Sequence, residues 1–179
     1  MSKKLFWGLI IISLTMVGCA GGGKQIYHSD PAMQTVSTTH YEVKLEPLKA
    51  EGHDYYNRFR YEFTNKTSGN LVIDWSETFY IQNGKRYGNV GWKGLTFEEL
   101  RGIKEEPDIT VAPGETQRAE IWPARLIGWR EEGVRMKATT PEAGFTLGVI
   151  QPGETGISIA VLQNGKMLRK RVLVTITQE

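Results

Sequence analysis

The side chains able to do chemistry are few and scattered. His28, His40 and His53 are the three histidines. A metal site needs histidine, thiolate or carboxylate ligands at patterned spacing, and only His53–Asp54 forms a close pair, in a hydrophilic stretch that reads as a solvated loop. Asp74 and Glu77 flank Trp75-Ser76 and could make a carboxylate pair for acid–base work; exposed acids beside a turn are the commoner origin of such spacing. A nucleophilic serine would need a base and an orienting group, and neither GxSxG nor HExxH occurs. No glycine-rich loop follows a strand and opens a helix to cradle phosphate. The residues therefore predict no enzyme, no metal and no cofactor.

Binding chemistry is better represented. Two irregular stretches each carry glycine, tryptophan and a base: Gly91-Trp92-Lys93 and Gly128-Trp129-Arg130. An exposed indole beside a cation suits a sugar face or a protein hot spot, and long loops on a rigid scaffold commonly carry binding residues. A loop tryptophan can equally fold back as a plug over the end of the domain. Trp75 and Trp122 lie in strand patterns and are expected in the core. Lys166, Arg169, Lys170 and Arg171 form a local basic cluster. It reads as charge guarding a sheet edge, or as a contact for anionic headgroups or an acidic partner.

The N-terminus carries a separate signal. Lys3 and Lys4 precede an apolar run from Leu5 to Val17, broken by Gly8, Ser13 and Thr15, and Met16-Val17-Gly18-Cys19 closes it at the chain's single cysteine. A membrane-spanning helix needs roughly 20 apolar residues, so this shorter run behind a basic start follows the signal-peptide pattern. Met16-Val17-Gly18-Cys19 resembles the lipobox of bacterial lipoproteins, with methionine where leucine is usual. The resemblance implies that Cys19 is lipidated and becomes the first residue after cleavage. An ordinary signal peptide cut near Ala20 is the other reading. Several acyl chains anchor a protein far better than one, at about 0.8 kcal/mol per buried CH₂. Ala20, rather than aspartate, after the cysteine implies the outer membrane, facing the periplasm, for a Gram-negative source.

Charge agrees with an exported binding domain. The chain has 22 Lys+Arg and 20 Asp+Glu, a formal net charge of +2. Loss of Lys3 and Lys4 with the signal leaves 20 of each, and a balanced domain argues against a nucleic-acid partner. Lipidation of Cys19 would leave no thiol for a disulfide, so the core alone must stabilise the fold.

The elements that must position these residues read as strands. Ala20 to Thr39 is Gly-, Ser- and Thr-rich and reads as a flexible tether. Tyr41, Val43 and Leu45 then alternate with charged residues, as do Phe59, Tyr61 and Phe63, and Leu71, Ile73 and Trp75 continue the period of two. Asn83-Gly84 and Asn164-Gly165 are type I′ hairpin signals. Thr96 and Glu99 have capping-box spacing, which predicts a short helical turn over Thr96–Arg101. Val111-Ala-Pro-Gly-Glu-Thr116 and Ile150-Gln-Pro-Gly-Glu-Thr155 repeat one turn chemistry. Strand, PGE, strand is frequent in immunoglobulin-like bacterial domains, which this chain resembles in that respect.

The expectation is therefore an all-β chain: a signal peptide over 1–18, a lipidated cysteine and tether over 19–39, and an immunoglobulin-like antiparallel β-sandwich over 40–179, with a short helical turn in a long loop. The expected role is a non-catalytic, membrane-anchored envelope lipoprotein that binds a protein partner through Trp92, Lys93, Trp129 and Arg130. Binding of a glycan, peptidoglycan or lipopolysaccharide, is the second reading.

Overall fold

The computed structural model describes residues 25–92, 108–129 and 145–179. Among these residues thirteen strands run in chain order: β1 (Tyr27–Asp30), β2 (Gln34–Ser37), β3 (Tyr41–Lys49), β4 (Tyr56–Asn65), β5 (Leu71–Ile73), β6 (Phe79–Gln82), β7 (Lys85–Trp92), β8 (Ile109–Val111), β9 (Thr116–Pro123), β10 (Ile127–Trp129), β11 (Phe145–Leu147), β12 (Gly153–Gln163) and β13 (Lys166–Gln178). Every pairing among them is antiparallel. The one helical segment among the described residues is a single 3₁₀ turn, Ala124–Leu126. The helical turn expected over Thr96–Arg101 lies outside the described residues, as do the signal peptide and Cys19.

Eleven strands form one strongly curled sheet in the order β1-β13-β12-β6-β7-β9-β4-β3-β2, with β5 paired to β12 and β8 to β5. Two halves are continuous through β7. Its first residues pair with β6 and its last three, Val90 to Trp92, with β9. A register shift at Tyr80/Ile81 marks a bulge there, and bulges increase local twist. β10 and β11 make a separate two-stranded ribbon.

The sheet's two ends are tied by the chain itself. β1 closes one end against β13 and β2 closes the other against β3, yet only Pro31 to Met33 separate them. Four residue steps reach roughly 14 Å at most, so the sheet must curl until its edges nearly meet. These strands fall inside the stretch expected to be a tether, and the ordered domain begins before residue 40. Composition misled because ladder pairing uses backbone groups, which polar residues supply as well as apolar ones. Tyr27 is also buried, and Val36 packs against the core.

Alternation gives this curled sheet its inside. Tyr41, Val43 and Leu45 of β3 and Phe59, Tyr61 and Phe63 of β4 point inward, facing Ile157, Ile159 and Val161 of β12 and Val172, Val174 and Ile176 of β13. The register pairs Val43 with Phe63 and Leu45 with Tyr61, which aligns the apolar rows. Both asparagine–glycine turns have positive φ at both residues, 50° then 75°, as type I′ requires.

The repeated PGE strings do different jobs. In the first, Gly114 N–H donates to Asn65 O at 3.0 Å and Ala112 N–H to Glu115 Oε2 at 2.8 Å, closing the β8–β9 turn. In the second, Gly153 has φ 120° and opens β12, where a Cβ would run into the Asn83 side chain. Asn65, buried at 1% exposure, ties the first turn to the β4–β5 turn. Its Nδ2 donates to Gly69 O (2.7 Å) and Val111 O (2.9 Å), and its Oδ1 accepts from Thr67 N–H (2.8 Å). A fully satisfied buried amide of this kind fixes two turns at once.

Two core hydroxyls lack such partners. The hydroxyls of Tyr41 and Tyr61 are buried and make no hydrogen bond among the described residues. Burial pushes the Tyr61 phenol well above its ordinary range, and Tyr41 adds to that shift. Tyr80, by contrast, bonds Gln82 at 2.6 Å and Thr155 at 2.5 Å. Desolvation still pushes its pKa up to about 12. Tyr61→Phe removes a buried polar atom without breaking a hydrogen bond, and should stabilise the fold by about 1 kcal/mol in urea unfolding; destabilisation would mean that the hydroxyl is satisfied. A raised phenol pKa favours the neutral form in the folded state, so its contribution is complete below pH 10 and is lost as pH rises through about 12 for Tyr80. Stability should therefore fall steeply between those values, and less steeply in Tyr61→Phe.

Candidate functional site

Among the described residues, two of the openings in the curled sheet are bordered by residues that the sequence singles out. The first is a pocket of about 320 Å³ beside β8 and β9. Trp75, Trp92 and Ile109 form its apolar wall, and Gln117, Arg118 and Glu120 its polar side. Among the described residues β8 pairs only with β5, and its Ile109 borders this opening.

Trp75 follows β5 at the start of a tight turn. Asp74 Oδ1 accepts from Ser76 Oγ (2.7 Å) and Glu77 N–H (3.0 Å), and Thr78 Oγ1 donates to Asp74 O (2.7 Å). Asp74 is thus a turn-former, and Glu77 binds Arg169 at 2.7 Å; the two do not make an acid–base pair. The turn holds the Trp75 ring inward at 1% exposure, edge-on to Tyr61 with centroids 5.6 Å apart. Its Nε1 is buried without a hydrogen-bond partner.

Trp92 ends β7, opposite Ile121 of β9. Its ring is partly buried and lies 5.4 Å from that of Trp75, tilted by 34°. Gly91 permits this corner, because a Cβ there would come within 2.7 Å of the Trp122 indole nitrogen. The charged rim is held by ion pairs: Arg118 Nε to Glu62 at 3.0 Å and Arg58 Nε to Glu120 at 3.1 Å. An aromatic wall with a charged rim can take one flat or branched apolar group and orient it by hydrogen bonds.

Of the four predicted contact residues, Trp92 is the one whose side chain is described, and its neighbour is Trp75. Lys93 and Arg130 lie outside the described residues. Trp129 is described by its backbone alone, paired with Phe145 across β10 and β11. The missed partner, Trp75, read as core because its strand pattern is apolar. Spacing along the chain carries no sign that its ring also walls an opening.

The second opening is a groove of about 480 Å³ at the seam where the ends of the curl approach. Val36 to Tyr41 line one side and Met167 to Lys170 the other. The basic cluster borders it, and part of that cluster is structural. Arg169 and Arg86 sit over the Phe79 ring, 5.5 and 4.7 Å from its centroid, with Glu77 neutralising Arg169. Among the described residues no group of three or more metal-binding side chains forms. His53 stacks on Tyr55 at 4.9 Å.

Trp75→Ala should cost about 3–5 kcal/mol, as expected for a deleted core aromatic, whereas Trp92→Ala should cost about 1–2 kcal/mol because its ring is only partly buried and has less buried surface to lose. Equilibrium denaturation of both variants checks the order; equal losses would make Trp92 a core residue and not a pocket wall. No protein-family model, curated protein or solved structure matches the chain.

Proposed function

We propose that this chain is a non-catalytic, lipid-anchored envelope lipoprotein, held by Cys19 to the outer membrane on its periplasmic side, whose domain binds a protein partner as an assembly or accessory module. The domain is proposed to be an immunoglobulin-like sandwich that folds as one curled sheet. The observation that carries the binding reading is the Trp75–Trp92 pocket. It combines two indoles, an unpartnered Trp75 Nε1 and an ion-paired rim. Interface hot spots are enriched in tryptophan and arginine around desolvated pockets, and a pocket of this size takes one anchoring side chain. Lys93, Trp129 and Arg130 extend the contact in this reading.

Glycan binding is the second reading. Stacked indoles also bind the apolar faces of sugars, and Gln117, Arg118 and Glu120 could bond hydroxyls around a ring held against Trp92.

Crosslinking of the full-length protein in its native membrane, followed by mass spectrometry, tests both. The wild type should recover one envelope protein, and Trp92→Ala should reduce that recovery at least tenfold. Equal recovery from both rejects the pocket as the contact. Co-sedimentation with purified peptidoglycan that Trp92→Ala abolishes, without a protein partner, would favour the glycan reading. A Cys19→Ala chain that stays in the membrane fraction would reject the anchor.

A further inference from the structure

The outward face of β6, β7, β12 and β13 gathers three arginines around one phenylalanine. The ladders fix the arrangement. Ser158 of β12 lies opposite Arg171 of β13 on one side and Phe79 of β6 on the other. Ile157 and Ile159 point into the core, so Ser158, Phe79 and Arg171 share the outward face. Arg86 and Arg169 close on the Phe79 ring, 4.7 and 5.5 Å from its centroid. They come from different rows. Arg86 stands opposite Ile81, itself opposite Gly156, whereas Arg169 stands opposite Ala160. Ser158 is thus a floor with arginines on either flank.

We infer that this cluster binds a phosphoryl group, carried by a lipid headgroup or by a soluble phosphate ester, between Arg86, Arg171 and the Ser158 hydroxyl. Three observations carry it. The charge is uncompensated. Glu77 bonds Arg169 at 2.7 Å, but among the described residues neither Arg86 nor Arg171 has a carboxylate partner. On the other half of the sheet each arginine of β4 and β9 has one: Arg58 with Glu120, Arg60 with Glu46 and Arg118 with Glu62. The floor is polar and unpartnered. Ser158 is 1% exposed, yet among the described residues its hydroxyl makes no hydrogen bond, whereas the buried Asn57, Asn65, Thr78 and Thr155 all do. The Phe79 ring also preorganises Arg86, since a guanidinium stacked on an aromatic face keeps its donors presented at the rim.

Geometry selects the ligand. Donors reach the space above Ser158 from β13, from β7 and from the floor, three directions that do not share a plane. A planar carboxylate pairs best with a single guanidinium fork in its own plane. A phosphoryl group presents three strong acceptor oxygens and can meet all three donors at once. The two free positive charges match the charge of about −1.5 to −2 on a phosphate monoester at pH 7. The nearest other carboxylates on this face, Asp30 and Glu154, stand opposite Thr175, four residues along β13 from Arg171, or roughly 14 Å. This inference depends on neither the tryptophan pocket nor the anchor.

The test uses the full-length chain in a neutral maltoside detergent at fixed salt, titrated by calorimetry with glycerol 3-phosphate and, separately, with micelles doped with phosphatidylglycerol or with phosphate-free diacylglycerol. We expect saturable binding of a phosphate probe and none of diacylglycerol. Binding of the phosphatidylglycerol micelles tighter by tenfold or more makes the source a lipid headgroup; a smaller difference makes it a soluble ester. Arg86→Gln with Arg171→Gln should weaken binding at least tenfold, Arg171→Gln alone severalfold and Ser158→Ala at least threefold, each with the wild-type tryptophan emission kept. Arg60→Gln with Arg118→Gln, on the other half of the sheet, should leave it unchanged. Absence of binding to both phosphate probes, or unchanged affinity in Arg171→Gln, overturns the proposal. Unchanged affinity in Ser158→Ala also overturns it, since diffuse charge would then suffice. So does equal affinity for a hexaglutamate peptide, because an acidic polypeptide would then be the occupant.

Discussion

The three residues Pro31 to Met33 impose the constraint on which the rest of the structure depends. They join two strands that belong to opposite ends of one sheet. A flat sheet of this many strands would hold those ends tens of ångströms apart, at about 4.8 Å per strand. The short link is compatible only with a sheet rolled through most of a turn. Rolling creates the interior: one face of every long strand looks at another strand's face, and alternating sequences supply tyrosine, phenylalanine and β-branched residues to fill it. The two openings are products of the same roll. One lies beside β8, which has no second neighbour among the described residues, the other where the ends approach without pairing.

Aromatic packing supplies much of the filling. Tyr41 stacks on Phe63 at 5.1 Å, Tyr61 meets Trp75 edge-on, and Trp75 meets Trp92. The first pair lies on the groove side of the interior, and the run Tyr61–Trp75–Trp92 leads to the tryptophan pocket. Large flat side chains fill volume efficiently, but their polar tips are hard to satisfy in the middle of a sheet. Three of them, on Tyr41, Tyr61 and Trp75, have no partner among the described residues. Native interiors keep such atoms few, and here two belong to residues that line an opening.

How much was legible in the sequence follows from the range of each signal. Period-two alternation is local, so β3, β4 and β5 were readable with their inward residues, and Asn83-Gly84 and Asn164-Gly165 located two hairpins through the φ values they need. Pairing between distant segments is not local. Nothing in Tyr27 to Ser37 shows that these residues close both ends of a sheet, since their contribution is chiefly backbone. Trp92 was singled out for its glycine and lysine neighbours, but its partner Trp75 lies seventeen positions earlier and meets it only after the sheet curls. The PGE repeat was read as one turn used twice; Gly114 turns the chain, whereas Gly153 makes room for Asn83.

The pairing of Ile26 with Glu179 also has a mechanical meaning. A pull on the chain upstream of Ile26 is directed along β1, parallel to its ladder with β13. The bonds from Ile26 to Asp30 then resist together in shear and do not open one by one. Because β2 follows within three residues and is fastened to β3, force that overcomes the first ladder passes to a second on the far side of the roll. A domain joined to its surroundings at this end is gripped at two places by a single short stretch of chain.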